Sequence, residues 1–209
     1  MRFFLDVGTH YGEGLSEFSH KLGLQSDWMI HCFEPNPLTK TELGLKEVTK
    51  GWTSTFFLHR KAVWNETGKV QFLCSKRDPG ELADYYTSRW STSYTDTQTR
   101  DNDLLDGVSS HIAGVRQNTW GGDTYEIDSI SGEDILKMLE LKDDDEVFIK
   151  IDAEGAEKEI IESFINSNFL HHIKEIYCEV HEGISASRAS IDTIKSLCES
   201  KNVRFHPWF

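Results

Sequence analysis

Apolar runs of β character alternate along this chain with segments of helical period, the pattern of an α/β domain built around a mostly parallel sheet. Phe3 to Val7 is a short run stopped by Gly8, which predicts a buried first strand. Leu15, Phe18 and Leu22 then fall at i, i+3 and i+7, one stripe of a helix that Gly23 is placed to end. Trp28 to Phe33 predicts a second strand, halted at Glu34 and Pro35, and a polar helix over about 38–50 follows. Thr55 to Leu58, extending to about Val63, and Val70 to Leu73 predict two strands joined as a hairpin by a turn at 65–69, where Gly68 permits positive φ.

From about Ser75 to Asp123 the chain is rich in Ser, Thr, Asp, Asn and Gly, yet it carries Tyr85, Tyr86, Trp90, Tyr94 and Trp120. A structureless connection of that length is uncommon inside a domain, so this insertion is expected to hold short elements or to cover an active site. The parallel pattern then resumes. Ser131 and Asp134 have capping-box spacing, with Asp in place of the commoner Glu, and open a helix that packs through Ile135, Leu136 and Leu139. The acidic run 143–146 predicts a solvated turn, since it lacks the alternate spacing and the glycine of a calcium loop. Strand Val147–Asp152, a helix over 155–166, strand Ile176–Val180, a helix facing inward through Ile191, Ile194, Leu197 and Cys198, and a strand-like 203–206 complete the order.

At 209 residues the chain predicts one domain, 1–209, large enough to bury roughly 70% of its unfolded surface without staples. Six Trp and twelve Phe supply large core groups and argue against disorder. No apolar run reaches the roughly 20 residues of a membrane helix, so no membrane partner is expected. The net charge of −13 opposes a polyanionic partner, and no nucleic acid is expected either. The four cysteines show neither a CxxC pair nor zinc spacing, and they read as reduced, mostly buried thiols. With no signal peptide ahead of the first strand, this predicts a cytoplasmic protein.

The chemistry concentrates at the strand ends. Asp6-Val-Gly8-Thr9-His10-Tyr-Gly12 reads D-x-G-x-x-x-G rather than the G-x-G-x-x-G of a dinucleotide site, and no G-K-[ST] of a P-loop follows. A carboxylate there repels phosphate and suits a cationic, amine-bearing nucleoside such as S-adenosylmethionine; a plain tight turn is the alternative. Glu34 ends the second strand where Rossmann-type folds place an acid on the ribose hydroxyls, and otherwise it is an exposed strand-end acid. The third piece is Lys150-Ile-Asp152-Ala-Glu154-Gly155-Ala-Glu157, an apolar strand ending in three acids interrupted by Gly.

This last block resembles the most distinctive segment of the FkbM family of S-adenosylmethionine-dependent methyltransferases. Other blocks follow in the family's order: the loop at Asp6, the F-E-P-N stretch Phe33 to Asn36, Ala62-Val63 followed by Gly68-Lys69-Val70, and Glu179-Val180-His181. The resemblance implies a Rossmann-like class I methyltransferase, a mostly parallel twisted sheet with helices on both faces; this sequence departs from it in stopping at Phe209, so the sheet is expected to be abbreviated at its C-terminal hairpin. It implies S-adenosylmethionine held by Asp6, Gly8, Thr9, His10, Gly12, Glu34, Pro35, Asn36, Ala62 and Asp152. It further implies methyl transfer to a hydroxyl of a small acceptor, commonly a sugar or glycan precursor. A catalytically silent S-adenosylmethionine-binding or assembly subunit is the alternative, and an oligomer is left open.

Positioning of the acceptor supplies roughly 7–11 kcal/mol of barrier lowering, more than the roughly 10²–10⁴-fold contributed by a general base. Asp152 and His181 lead as bases because both end strands beside the crevice and imidazole titrates near neutral pH. For His181 a capped strand end explains it equally well, and for Glu157 ordinary helix-dipole stabilisation does. Glu154, Glu157 and Glu179 are candidates for the acceptor side, with Trp90 and Ser93 in the insertion. A divalent cation on Asp152, Glu154 and Glu179 is compatible with their chemistry, but a nearby sulfonium accounts for the same carboxylates, so no metal is assigned. The adjacent His171 and His172 are expected at the surface.

Overall fold

A computed structural model describes residues 1–75, 111–112, 122–181 and 189–208. The insertion's Trp90, Ser93, Tyr85, Tyr86, Tyr94 and Trp120 lie outside these. The central sheet has six parallel strands in the order β10-β9-β8-β1-β2-β3. Here β1 is Arg2–Val7, β2 Trp28–Phe33, β3 Thr55–His59, β8 Glu146–Ile151, β9 Ile173–Cys178 and β10 Arg204–Pro207. The order reverses between β1 and β8, the two innermost strands. Every strand of this sheet is parallel to its neighbours, so among the described residues it has no antiparallel C-terminal hairpin.

Alternation along β1 creates two cores. Phe3, Leu5 and Val7 face one way, with Ile160, Ile161 and Phe164 of α4 (Glu157–Ile165), Ile135 and Leu136 of α3 (Gly132–Met138), and Ile194 and Cys198 of α5 (Ile191–Glu199). Phe4 faces the other way, against Leu15 and Phe18 of α1 (Glu13–Leu22), with Leu45 and Val48 of α2 (Thr41–Val48) alongside. Helices therefore cover both faces, as in Rossmann-like methyltransferases, and they change sides at the β1/β8 boundary. Leu15 and Phe18 are fully buried, worth about 1.5–3 kcal/mol each in apolar area. The α1 helix ends at Gly23, which has φ 70° and donates its amide to Ser19 O, as the sequence pattern predicts.

The second sheet corrects the expected hairpin. Its order is β4-β7-β5-β6, where β4 is Ala62–Trp64, β5 Gly68–Ser75, β6 His111–Ile112 and β7 Gly122–Ser131. The strands flanking the turn at 65–69 do not pair with each other. Instead β7 lies between them, parallel to β4 and antiparallel to β5. A distant strand has taken the position that the local turn reserved for a neighbour. The capping box is also indirect. Ser131 Oγ accepts from Asp134 N, but Ser131 N donates to Thr67 Oγ1, which donates in turn to Asp134 Oδ2. His172, expected at the surface, is buried with Nδ1 3.0 Å from Asp145 O, while His171 is exposed. Asp145 is buried too and accepts the Lys142 amide, so the acidic turn is only partly solvated. No helix among the described residues is long and apolar enough to cross a membrane.

Candidate active site

The carboxyl ends of β9, β8, β1 and β2 lie side by side, so Glu179, Asp152, Gly8 and Glu34 share one sheet edge at the reversal of strand order. This crevice is where open α/β sheets bind ligands. Backbone bonds continue past the strands and fix the edge: Asp152 N donates to Val7 O and Glu179 N to Ile151 O.

The loop leaving β1 closes upon itself. Gly8, His10 and Gly12 adopt positive φ of 75°, 51° and 92°. A Cβ on Gly8 would sit 1.8 Å from Asp152 O, so only glycine fits there. Gly8 N and Thr9 N both donate to Phe33 O, and Gly12 N donates to Thr9 O. His10 N donates to Glu34 Oε2 at 2.7 Å, and Tyr11 N to Glu13 Oε2 at 3.1 Å. Each amide from 8 to 12 is thus already engaged within the protein. A phosphate-binding loop needs such amides aimed at its ligand, so this loop fits a ligand that carries no phosphate at this point.

Glu34 is buried, and its other oxygen accepts Asn36 N at 2.9 Å. Burial holds its carboxyl above the usual range, against the attraction of His10 and the two amides. Each oxygen keeps a second lone pair, which suits a vicinal diol that donates two hydroxyls. Pro35 and Asn36 are half-buried beside it, and Asn36 Oδ1 accepts Leu38 N. His10 leans on Glu13, Nδ1 to Oε1 3.0 Å; burial opposes its charge, but that hydrogen bond and the Glu13 charge outweigh it and raise its pKa.

Asp6, Ala62 and Thr9, also expected on the cofactor, are buried. Asp6 is fully buried, with its carboxylate beside Lys150. Ala62 is buried at the head of β4 within the core. Thr9 is buried as well, donating its hydroxyl to Asp6 O.

Lys150, whose side chain the sequence reading leaves without a role, ties this floor together. It sits opposite Asp6 on adjacent strands and is itself buried. Its Nζ donates to Gly8 O at 2.8 Å and lies 3.3 Å from Asp6 Oδ1 and 3.6 Å from Asp152 Oδ2. Burial disfavours the ammonium, but the two carboxylates outweigh it and raise its pKa, so it remains charged. The available signal was a lone lysine inside an apolar strand, a residue almost never buried unless paired.

The other wall comes from the turn after β8 and the segment after β9. Glu154 and Gly155 take positive φ of 53° and 102°, folding the chain so that Glu157 Oε1 accepts Gly155 N at 2.8 Å. The same oxygen lies 2.8 Å from His181 Nδ1. His181 Nε2 then points toward Glu154 Oε2 at 3.7 Å and Glu179 Oε1 at 3.9 Å. Burial opposes charge on this imidazole, but the Glu157 hydrogen bond and the surrounding carboxylates prevail and push its pKa up to about 9. Without a ligand, His181 is an imidazolium at neutral pH and does not accept a proton. Glu179 is shifted up by burial and by Asp152. One ligand atom from each of Asp152, Glu154 and His181 lies within 4.8 Å of the others, a set with the chemistry to hold a cation.

The family model described as Methyltransferase FkbM domain matches residues 6–205. No curated protein and no solved structure matches the chain.

Proposed function

Because this chain belongs to the FkbM methyltransferase family, we propose that it moves a methyl group from S-adenosylmethionine to a hydroxyl oxygen of a small acceptor, a sugar or glycan precursor. The observation that carries the donor assignment is the pairing of a loop whose amides are all engaged with an edge lined by Glu34, Asp152, Glu154 and Glu179. That edge repels phosphates and attracts a cationic nucleoside. When bound, S-adenosylmethionine supplies a methyl on a positively charged sulfur; its transfer leaves the electron pair on a neutral thioether while the acceptor's proton goes to a base or to water. Glu34 takes the ribose hydroxyls. Gly8 and Gly12 keep the loop close enough for backbone contact, and Lys150 holds that loop from beneath.

Asp152 and Glu179 are the proton acceptors this reading favours at neutral pH, since His181 already carries a proton there. His181 instead helps to place the acceptor, with Glu157 fixing its ring. The four free, buried cysteines support a cytoplasmic, reducing setting.

Calorimetry with S-adenosylhomocysteine and with NAD tests the donor site. The homocysteine analogue should bind and NAD should not. Replacement Glu34→Ala removes two charge-assisted hydrogen bonds of about 1.5–3 kcal/mol each and should weaken the analogue at least ~100-fold. Unchanged affinity in that variant would remove Glu34 from the ribose; tight NAD binding in place of the analogue would defeat the donor assignment.

A further inference from the structure

Beside the donor wall lies a mixed nitrogen and oxygen donor set that methyl transfer alone does not require. Asp152 directly follows β8, Glu154 stands in the left-handed turn after it, and His181 comes from the segment after β9, so three backbone positions converge. Donor atoms within 4.8 Å of one another can share one ion at metal–ligand distances of ~2.0–2.3 Å after small side-chain adjustments. His181 is the residue that separates this arrangement from a plain acidic patch. Its Nδ1 is held by the buried Glu157, which is itself fixed by Gly155 N. A carboxylate on one ring nitrogen, with the other nitrogen directed at further ligands, is the arrangement that orients metal-bound imidazoles; a bound cation takes the place of the Nε2 proton, which is released to solvent. Glu179 Oε1, 3.9 Å from Nε2, stands beside the ion as the proton acceptor when Asp152 serves as a ligand.

We propose that Asp152, Glu154 and His181 form a divalent cation site, with Glu157 as its positioning residue, and that the bound ion holds two oxygens of the acceptor against the methyl donor. The imidazole and carboxylate combination suits a first-row transition ion such as Mn²⁺ better than Ca²⁺, which takes oxygen ligands only. Three ligands leave coordination positions open, and a vicinal diol or a hydroxyl next to a carbonyl fills two of them. A nearby sulfonium accounts for the carboxylates alone, but not for a histidine locked by Glu157 among them. The acceptor role of the ion rests on the methyltransferase reading above, whereas its binding does not.

Titration of the full chain with Mn²⁺, following the paramagnetic resonance signal of the free ion, tests the site. One equivalent should bind. Glu154→Ala and His181→Ala should abolish that binding while circular dichroism and melting show both variants folded. Glu157→Gln should weaken it 10–100-fold. Glu34→Ala, which follows β2 with β1 between it and Asp152, should bind Mn²⁺ as the parent does while losing S-adenosylhomocysteine. Absence of stoichiometric binding up to 1 mM Mn²⁺, on the order of the weakest affinity class for functional sites, overturns the proposal. So does binding that survives both ligand substitutions. Mn²⁺ binding without any S-adenosylhomocysteine binding would retain the site and overturn the ion's assigned role in methyl transfer.

Discussion

Replacing Lys150 by Met removes the cation that buried Asp6 faces while keeping most of the side-chain volume. At 3.3 and 3.6 Å, and with an effective dielectric of ~20, the attraction of Lys150 for Asp6 and Asp152 is about 5 kcal/mol each. That gross attraction is largely offset by the several kcal/mol needed to desolvate each ion, so the intact cluster contributes little net stability. Removing one partner is different, because Asp6 would remain buried with its charge uncompensated, a loss of about 3–5 kcal/mol. At roughly 2–4 °C per kcal/mol for a chain of this size, the midpoint of thermal unfolding should fall by roughly 6–20 °C. The double variant Asp6→Asn with Lys150→Met should recover most of that loss, though not the hydrogen bond to Gly8 O. Protonation of Asp6 is the single variant's escape, so its deficit should shrink as pH is lowered toward 5. Scanning calorimetry of both variants at two pH values measures this. A single variant less than about 1 kcal/mol below the parent, or a double variant no better than the sum of its parts, would show that the cluster does not work as described.

The β2–β3 face makes its own pH prediction. His31 Nδ1 and His59 Nε2 lie 3.0 Å apart, and burial, with His59 second, lowers the pKa of His31 to about 4. Folded His31 stays neutral where the unfolded chain takes up a proton, so this stabilisation is complete above pH ~6.5 and is lost as pH falls from there toward 4, by at most about 3 kcal/mol. His31→Phe should flatten that part of the stability profile in urea titrations; an identical slope between pH 4 and 6.5 in variant and parent would count against it. Gly8→Ala should abolish S-adenosylhomocysteine binding and destabilise the fold, since the new Cβ meets Asp152 O and φ is positive; near-parental binding by calorimetry would contradict the closed loop. Asp152→Asn should weaken donor binding far less than Glu34→Ala does and lower turnover by roughly 10²–10⁴-fold, read by labelled methyl transfer once an acceptor is in hand.

The parts of the fold written in local patterns were legible. The parallel strands at 3–7, 28–33 and 147–151 and the Gly23 helix stop follow from short-range alternation, period and conformational preference, and the acids at positions 34, 152, 154 and 179 could be assigned to one edge from strand ends alone. What escaped depends on partners far along the chain. The turn at 65–69 invites a hairpin, yet β7 inserts between its arms, a choice made by register with residues some sixty positions away. The ion pair of Asp6 stays hidden until Lys150 is seen directly opposite it on β8. His181 suggests a base by its ordinary pKa, but Glu157, Glu154 and Asp152 around it reverse that reading at neutral pH. Charge neighbours that lie across strands leave no periodic trace in sequence.

The internally bonded loop at residues 8–12 bears on the timing of ligand capture. Its unusual backbone angles and its amide partners are settled when the chain folds, so this wall has no ordering step left to perform when a nucleoside arrives. Association at this wall should therefore follow a single fast phase, with affinity varied among ligands through how slowly each one leaves.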